Sequence, residues 1–326
     1  MRFLLSLALL VLPFVAHAAC EGRDLRPRLT AQEQGELQQA LKDFPFPEGN
    51  HWIARKDKTV LHLIGTLHIN DPRMDAVVER LKPTLSQADA FYFEVTQDAM
   101  ATFERNLAHD PSPVIITSGP TLIELMSEED WAALSAGLAE RGIPSWMGAK
   151  MRPWFLSMML SVPPCISEDP DAKYGMDARL TDLATENGIS QHSLERIDDL
   201  MAIFDSHPIE EQVQSLVRMA GALEASEDQL ATMADAYLEE KHGQILQLAR
   251  LQGLDASGLD PQVFEEEWNG FEQKLLIDRN NDWMDHILDI QDQVAVIAIG
   301  AGHLGDDHGL LNQLHQAGYT LTRAPF

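Results

Sequence analysis

The run Lys-Thr-Val-Leu-His-Leu-Ile-Gly at residues 58 to 65 constrains the fold more than any other stretch of the chain. Val60, Leu61, Leu63 and Ile64 are too continuous in hydrophobicity for a strand with one wet face, so they predict a central strand covered on both sides. After it, Asp71-Pro72 offers an N-cap and a first-turn proline, and Met74, Val77, Val78, Leu81 and Leu85 recur at helical spacing. The chain then returns to strand at Ala90 to Val95. Strand, helix and strand within about forty residues make a βαβ unit, which implies parallel strands and a right-handed crossover.

The C-terminal end repeats the pattern. Val294 to Gly300 reads as a second buried strand, a helix follows near Leu310 to Gln316, Gly318 stops it, and Tyr319 to Thr322 closes the chain as a strand. Between the two units, Ser127-Glu128-Glu129-Asp130 opens a helix toward Gly142, and residues 208 to 290 are mostly acidic amphipathic helix. Asp177 is placed to cap a short helix ending near Gly188, and Ile189 to Leu194 forms a further strand candidate running into Glu195. With no Gly/Ser linker or short repeat to divide it, the mature chain (19–326) is expected to be one α/β domain. Its central sheet is mostly parallel, with helical insertions at about 98–165 and 205–290.

Hydrophobic residues make up 45% of the 326 positions and charged residues 23%, which excludes a disordered or low-complexity chain. Asp and Glu number 51 against 24 Lys and Arg, and the net charge of -27 opposes broad attraction to nucleic acid or anionic lipid. No nucleic-acid partner is expected, whereas cationic ligands, metal ions among them, are favoured. Met1 and Arg2 precede the apolar run Phe3 to Val15, and Ala16-His17-Ala18 has the form of a signal-peptidase site. Residues 1–18 are therefore expected to be a cleaved signal peptide and the protein to be periplasmic or secreted, with no membrane span in the mature chain. His17 stands where a lipoprotein signal wants an apolar residue, which argues against lipid anchoring at Cys20. Cys20 and Cys165 are the only cysteines, and an oxidising compartment would let them form one bridge.

Two predicted strands end alike, as Gly65-Thr66-Leu67-His68 and Gly300-Ala301-Gly302-His303. With 20 glycines and 12 histidines, chance alone supplies about 0.7 such Gly-x-x-His spacings. A third, Gly305 to His308, shows how easily the spacing arises. Position carries the signal, because both of the first two lie at the carboxyl ends of the most hydrophobic strands, the edge where open parallel sheets bind ligands. Glu94 and Glu195 sit at equivalent places, and glutamate is depleted from buried strands unless its charge is paired or coordinated. Taken singly, each histidine can simply bond a backbone carbonyl, and each glutamate can pair with an arginine or cap a helix. Together, two imidazoles and one or two carboxylates at one edge suit a divalent Zn, Mn, Co or Fe ion with open positions for water and substrate.

Arg279-Asn280 falls within a predicted helix, Phe264 to Ile290, whose buried stripe is read as Phe264, Trp268, Phe271 and Leu275. Arg279 can grip a substrate carboxylate or oxyanion, or equally form a surface pair with Asp278 or Asp282. The chain has no P-loop, no dinucleotide glycine fingerprint, no HExxH helix and no GxSxG elbow, which argues against the commonest nucleotide, zincin and serine-hydrolase chemistries.

At these positions the sequence resembles the TraB/PrgY/GumN family, whose animal relatives are the Tiki-type metal-dependent proteases. The resemblance rests on Gly65-Thr66-Leu67-His68, Glu94, Tyr174-Gly175-Met176-Asp177, Leu194-Glu195, Arg279-Asn280, and Gly300-Ala301-Gly302-His303-Leu304 through Gly309-Leu310-Leu311 to Gly318-Tyr319. It implies an erythromycin-esterase/ChaN-like α/β fold and, for the Tiki branch, Mn- or Co-dependent peptide cleavage at two G-x-x-H motifs with a glutamate. The chain departs from the Tiki pattern in lacking a C-terminal membrane anchor and in having Gly305-Asp306-Asp307 after His303. The expectation is an exported metal-dependent hydrolase of peptides or small acyl substrates. His68 and His303 would be metal ligands, Glu94 a ligand or general base, Glu195 a further ligand or an outer partner, and Arg279 with Asn280 would hold substrate. The alternatives are a non-catalytic protein that holds a peptide, metal or haem in the same cleft, and a hydrolase of non-peptide esters.

Overall fold

A computed structural model describes residues 20, 22–167, 169, 171–221, 223 and 226–326. The expected signal peptide, residues 1–18, lies outside them. Six strands form one sheet: β1 His51–Lys56, β2 Thr59–Thr66, β3 Ala90–Phe93, β4 Ser190–Ser193, β5 Val294–Gly300 and β6 Thr320–Arg323. Their order across the sheet is β4-β3-β5-β2-β1-β6. β2, β5, β3 and β4 are parallel neighbours, and β1 runs antiparallel to both β2 and β6. The sheet is thus mixed but mostly parallel.

The alternation of side chains along the buried strands explains how one sheet feeds two cores. From β5, Val296 and Ala298 join Ile64 and Phe91 beneath the helices Met74–Leu85 and Met176–Glu186. Ala295, Ile297 and Ile299 join Leu61 and Leu63 on the opposite face, against the helices Asp278–Leu288 and Leu310–Gln316. Both faces are covered, which is why β5 carries no polar side chain and the polar residues of β2, Thr59, His62 and Thr66, are buried. Helices between β3 and β4, joined by Ile209–Ala220 after β4, build a third core, in which Leu122, Leu134, Leu156, Leu160 and Leu216 are buried.

From β2 the chain crosses to one side, over β5 to β3. From β5 it crosses to the other, over β2 and β1 to β6. Connections that diverge in this way open a crevice at the carboxyl ends of the strands between them, and that crevice is where the signature residues fall.

Three local expectations are corrected. Asp71-Pro72 does not start the helix. Asp71 instead accepts from the Arg73 N–H through Oδ1, closing a turn one step earlier, and the helix begins at Met74. The predicted helix from Phe264 is interrupted by a π-helical stretch, Gln273–Ile277. Phe264 is buried, but Phe271 is 48% exposed and packs only its ring against Trp268, 5.5 Å away. The wider π turn spends an extra residue there, and the buried face continues with Arg279, Asn280, Trp283, Met284 and Ile287. Asp177 is not a cap, since Gly175 holds that position without a side-chain bond.

Cys20 and Cys165, 145 positions apart, are joined by a disulfide. A loop of that size restricts the unfolded chain strongly, so reduction is expected to lower stability by about 2–5 kcal/mol. Denaturant midpoints with and without reductant check the loss, and two free thiols in the folded, unreduced protein would contradict it.

Candidate functional site

Register brings the signature residues to one place. Thr66 pairs with Gly300 across β2 and β5, Phe93 pairs with Ala298, and Ser193 pairs with Phe93. The residues that follow each strand therefore emerge side by side, and the Glu195 N–H donates to the Glu94 carbonyl at 3.1 Å. Gly300 marks the centre. A Cβ built there would lie 3.1 Å from Glu94 Oε1, 3.6 Å from His303 Cδ2 and 4.0 Å from His68 Nε2. His68, Glu94 and His303 thus converge across 235 positions of sequence, and Gly300 leaves the room for them.

Each imidazole is held by an outer oxygen. His68 Nδ1 donates to Asp177 Oδ2 at 2.7 Å, while its Nε2 faces the Gly300 centre. Asp177 reaches it from the first turn of Met176–Glu186, where a helix N-terminus favours a carboxylate. The two loops are packed backbone to backbone: Met176 N–H donates to the Leu67 carbonyl, and a Cβ on Gly175 would meet the His68 carbonyl carbon at 2.4 Å. His303 is buried; its Nδ1 lies 2.7 Å from Asn280 Oδ1, and Arg279 Nη1 donates toward its Nε2 at 3.2 Å. These partners assign the neutral imidazole with the proton on Nδ1. Asn280 also donates through Nδ2 to the His308 carbonyl, fixing the loop beyond His303.

Arg279 ties the carboxylates together. Its Nη2 donates to Glu94 Oε2 and to Glu195 Oε1, both at 2.6 Å, and its Nε to Glu195 Oε2 at 3.1 Å. Nη1 also donates to the Leu275 carbonyl, in the π-helical stretch. Trp283 lies under the guanidinium at 4.7 Å and against the His303 ring at 4.5 Å. The other oxygen of Glu94, Oε1, accepts from the Gly300 N–H at 2.6 Å.

Burial alone would push Glu94 up, but His303, itself cationic in the acid range where Glu94 titrates, together with Arg279, His68 and the Gly300 N–H, holds it at about 2. Burial also pushes Glu195 up, against the opposing pull of Arg279. His303 is driven down to about 3, chiefly by burial. His68 is raised by the Asp177 charge. Its side chain keeps 64% of its surface open to solvent, so water screens that attraction. At neutral pH the cluster is an anionic Glu94, a neutral His303 and a cationic Arg279, with His68 at the mouth.

Every residue singled out in the sequence for metal or substrate binding (His68, Glu94, Glu195, Arg279, Asn280 and His303) lies in this cluster, and His308, the chance third motif, is exposed outside it. Sequence reasoning missed Asp177 as the partner of His68. It also missed that Arg279 bonds Glu94, Glu195 and His303 at once. Among the described residues the buried Thr66 hydroxyl finds no hydrogen-bond partner. A shallow groove lined by Leu246, Glu272, Leu276, Asn280, Asp306 and His308 adjoins the cluster. A larger cavity of about 420 Å³ opens at the far end of the strands, between Lys56, Asp57, Leu288, Asp292 and Tyr319, with none of the signature residues in its wall. The buried charges lie at the carboxyl edge instead.

The donor chemistry of the cluster suits a divalent metal: two imidazoles with Nδ1 anchored by oxygen acceptors and a carboxylate beside them are the usual inner and outer partners of a His/Glu centre. As placed, however, no three His, Cys, Asp or Glu side chains among the described residues are grouped closely enough to hold one. Arg279 takes up the His303 Nε2 and a Glu94 oxygen.

Fold and cluster define an α/β protein with a buried polar centre at the carboxyl edge of its parallel strands. The chain belongs to the TraB/PrgY/gumN family, whose model matches residues 50–323 and so spans every strand and every residue of the cluster. No curated protein and no solved structure matches it. Among the described residues no helix is long and apolar enough to cross a membrane.

Proposed function

We propose that this protein is an exported, divalent-metal-dependent hydrolase of peptide or small acyl substrates, with His68 and His303 as the residues that hold the metal and Glu94 beside them as ligand or general base. The observation that carries the reading is the matched anchoring of the two histidines. Each fixes Nδ1 on an oxygen, Asp177 or Asn280; His68 then presents Nε2 to the centre beside Gly300, where His303 presents Cδ2 and has its Nε2 taken up by Arg279. Mn, Co or Zn bound there would act as a Lewis acid and make water acidic enough to attack an acyl carbon at neutral pH.

The chain's own groups divide the remaining work. Glu94 is ionised and buried, so its carboxylate is ready either to ligate or to accept a proton from attacking water, within reach of the same centre. Asp177 fixes the orientation of His68, and Asn280 that of His303. Glu195 holds Arg279 through two bonds, so that a guanidinium released from Glu94 and His303 would stay in place to meet a developing oxyanion or a substrate carboxylate. The groove beside Leu246 and Leu276 gives an extended substrate an apolar wall.

A peptide-library digest tests the reading. Turnover is expected with Mn, Co or Zn, lost on chelation and restored by metal. Metal affinity without turnover would favour a protein that only binds its ligand. The exported protein is expected to begin at or near Ala19, which its intact mass checks.

A further inference from the structure

Arg279 does more in this cluster than a substrate clamp requires. A residue waiting for a substrate anion keeps donors free, whereas every nitrogen of this guanidinium is committed to a partner. Two of those partners, Glu94 Oε2 and His303 Nε2, are donors a metal would need. The others are both oxygens of Glu195 and the Leu275 carbonyl. The bonds therefore fall into two sets: a two-point fork on Glu195 with the Leu275 contact as a tether, and a pair that takes up Glu94 Oε2 and His303 Nε2, donor atoms of the two residues that flank Gly300. Arg279, Glu94 and Glu195 keep only 9%, 14% and 12% of their side-chain surfaces exposed, so water cannot substitute for a missing cation there. A second cation entering beside the guanidinium meets like-charge repulsion at low dielectric.

We propose that Arg279 is a built-in competing cation that gates loading of the centre: it occupies Glu94 and His303 in the metal-free protein and releases them while staying held by Glu195. The inference rests on the metal-site reading above and adds its regulation. Glu195 acts here as a positioning residue. By keeping a partner for Arg279 outside the centre, it lowers the cost of release. The π-helical stretch from Gln273 to Ile277, immediately before Arg279, is the kind of irregular helix that functional sites use, and it supplies one of the tethering carbonyls.

The test is metal binding, read without any activity. Co(II), Mn(II) and Zn(II) are titrated into metal-free wild type, Arg279→Gln, Glu195→Gln and the double variant by competition with a chromophoric chelator. Arg279→Gln is expected to bind tighter by about 5- to 150-fold, the usual span of a coupling free energy between two binding events. Glu195→Gln is expected to bind more weakly than wild type, because Arg279 then has only the centre to satisfy its charge. In the double variant that weakening should vanish. Were Glu195 instead a metal ligand, the weakening would persist in the Arg279→Gln background and the tether would be overturned.

Wild-type kinetics give an arm that needs no variant to fold. The rate of Co(II) absorbance change is expected to level off with rising Co(II), limited by release of Arg279, and a rate linear in Co(II) to the highest concentration would overturn the gate. Tighter binding by wild type than by folded Arg279→Gln would overturn it too. If no form binds metal, and His68→Ala and His303→Ala match wild type, the metal-site reading itself falls and the gate with it.

Discussion

Replacing Glu94 by Gln is expected to lower turnover by about 10²- to 10⁴-fold, the range for loss of a positioned general base. The amide keeps the shape of the side chain and can still accept from the Gly300 N–H, but it cannot take a proton. If Glu94 acts only as base, metal affinity stays near that of wild type while rate collapses. If it is a ligand, affinity and rate fall together. Steady-state kinetics and metal titration on the same preparation separate the two roles.

The second large effect is on stability. Arg279→Ala leaves Glu94 and Glu195 buried together without their shared cation, and removal of one partner from such a cluster costs about 3–5 kcal/mol. The effect carries a pH signature. Glu94 titrates at about 2 in the folded protein against 4.5 ordinarily, so its contribution is complete above about 4.5 and lost as pH falls toward 2. Without Arg279 the folded value rises and the acid loss begins at higher pH. His68 works in the opposite sense: its folded value is raised above 6.5, so its contribution is complete below 6.5 and fades as pH rises through the raised value. Urea unfolding of wild type and Arg279→Ala from pH 3 to 9 checks both limbs, and equal stability of the two proteins at pH 6 would contradict the account of the charge cluster.

The parts of the fold that were legible in sequence are those whose burial is written in composition. β2, β3 and β5 lie inside the sheet, so their runs are apolar, and the helix Met74–Leu85 between two of them shows its buried stripe at Met74, Val77, Leu81 and Leu85. β1 left no such trace. His51, Arg55 and Lys56 interrupt it, and the turn into β2 is Asp57-Lys58, with Asp57 at φ 51° in place of the glycine or asparagine that marks a hairpin. β4 is an edge strand of polar residues, Ser190–Ser193, legible mainly because Glu195 follows it. Of the site, the two histidines and Glu94 could be read because parallel strands bring their carboxyl ends to a common edge. Asp177 could not be, since it reaches His68 from a helix 109 positions away. Its side chain looks like a cap until the loops are packed together at Gly175. Arg279 was visible as a charge in an amphipathic helix, but the two carboxylates and the imidazole that claim it come from three other segments.

Calorimetric titration of Mn, Co and Zn into metal-free wild type, His68→Ala, His303→Ala and His308→Ala tests the central claim most directly. The account predicts one saturable site in wild type, a sharp loss of affinity in His68→Ala and His303→Ala, and little change in His308→Ala, whose ring is exposed outside the cluster. Full metal binding in both His68→Ala and His303→Ala would contradict it.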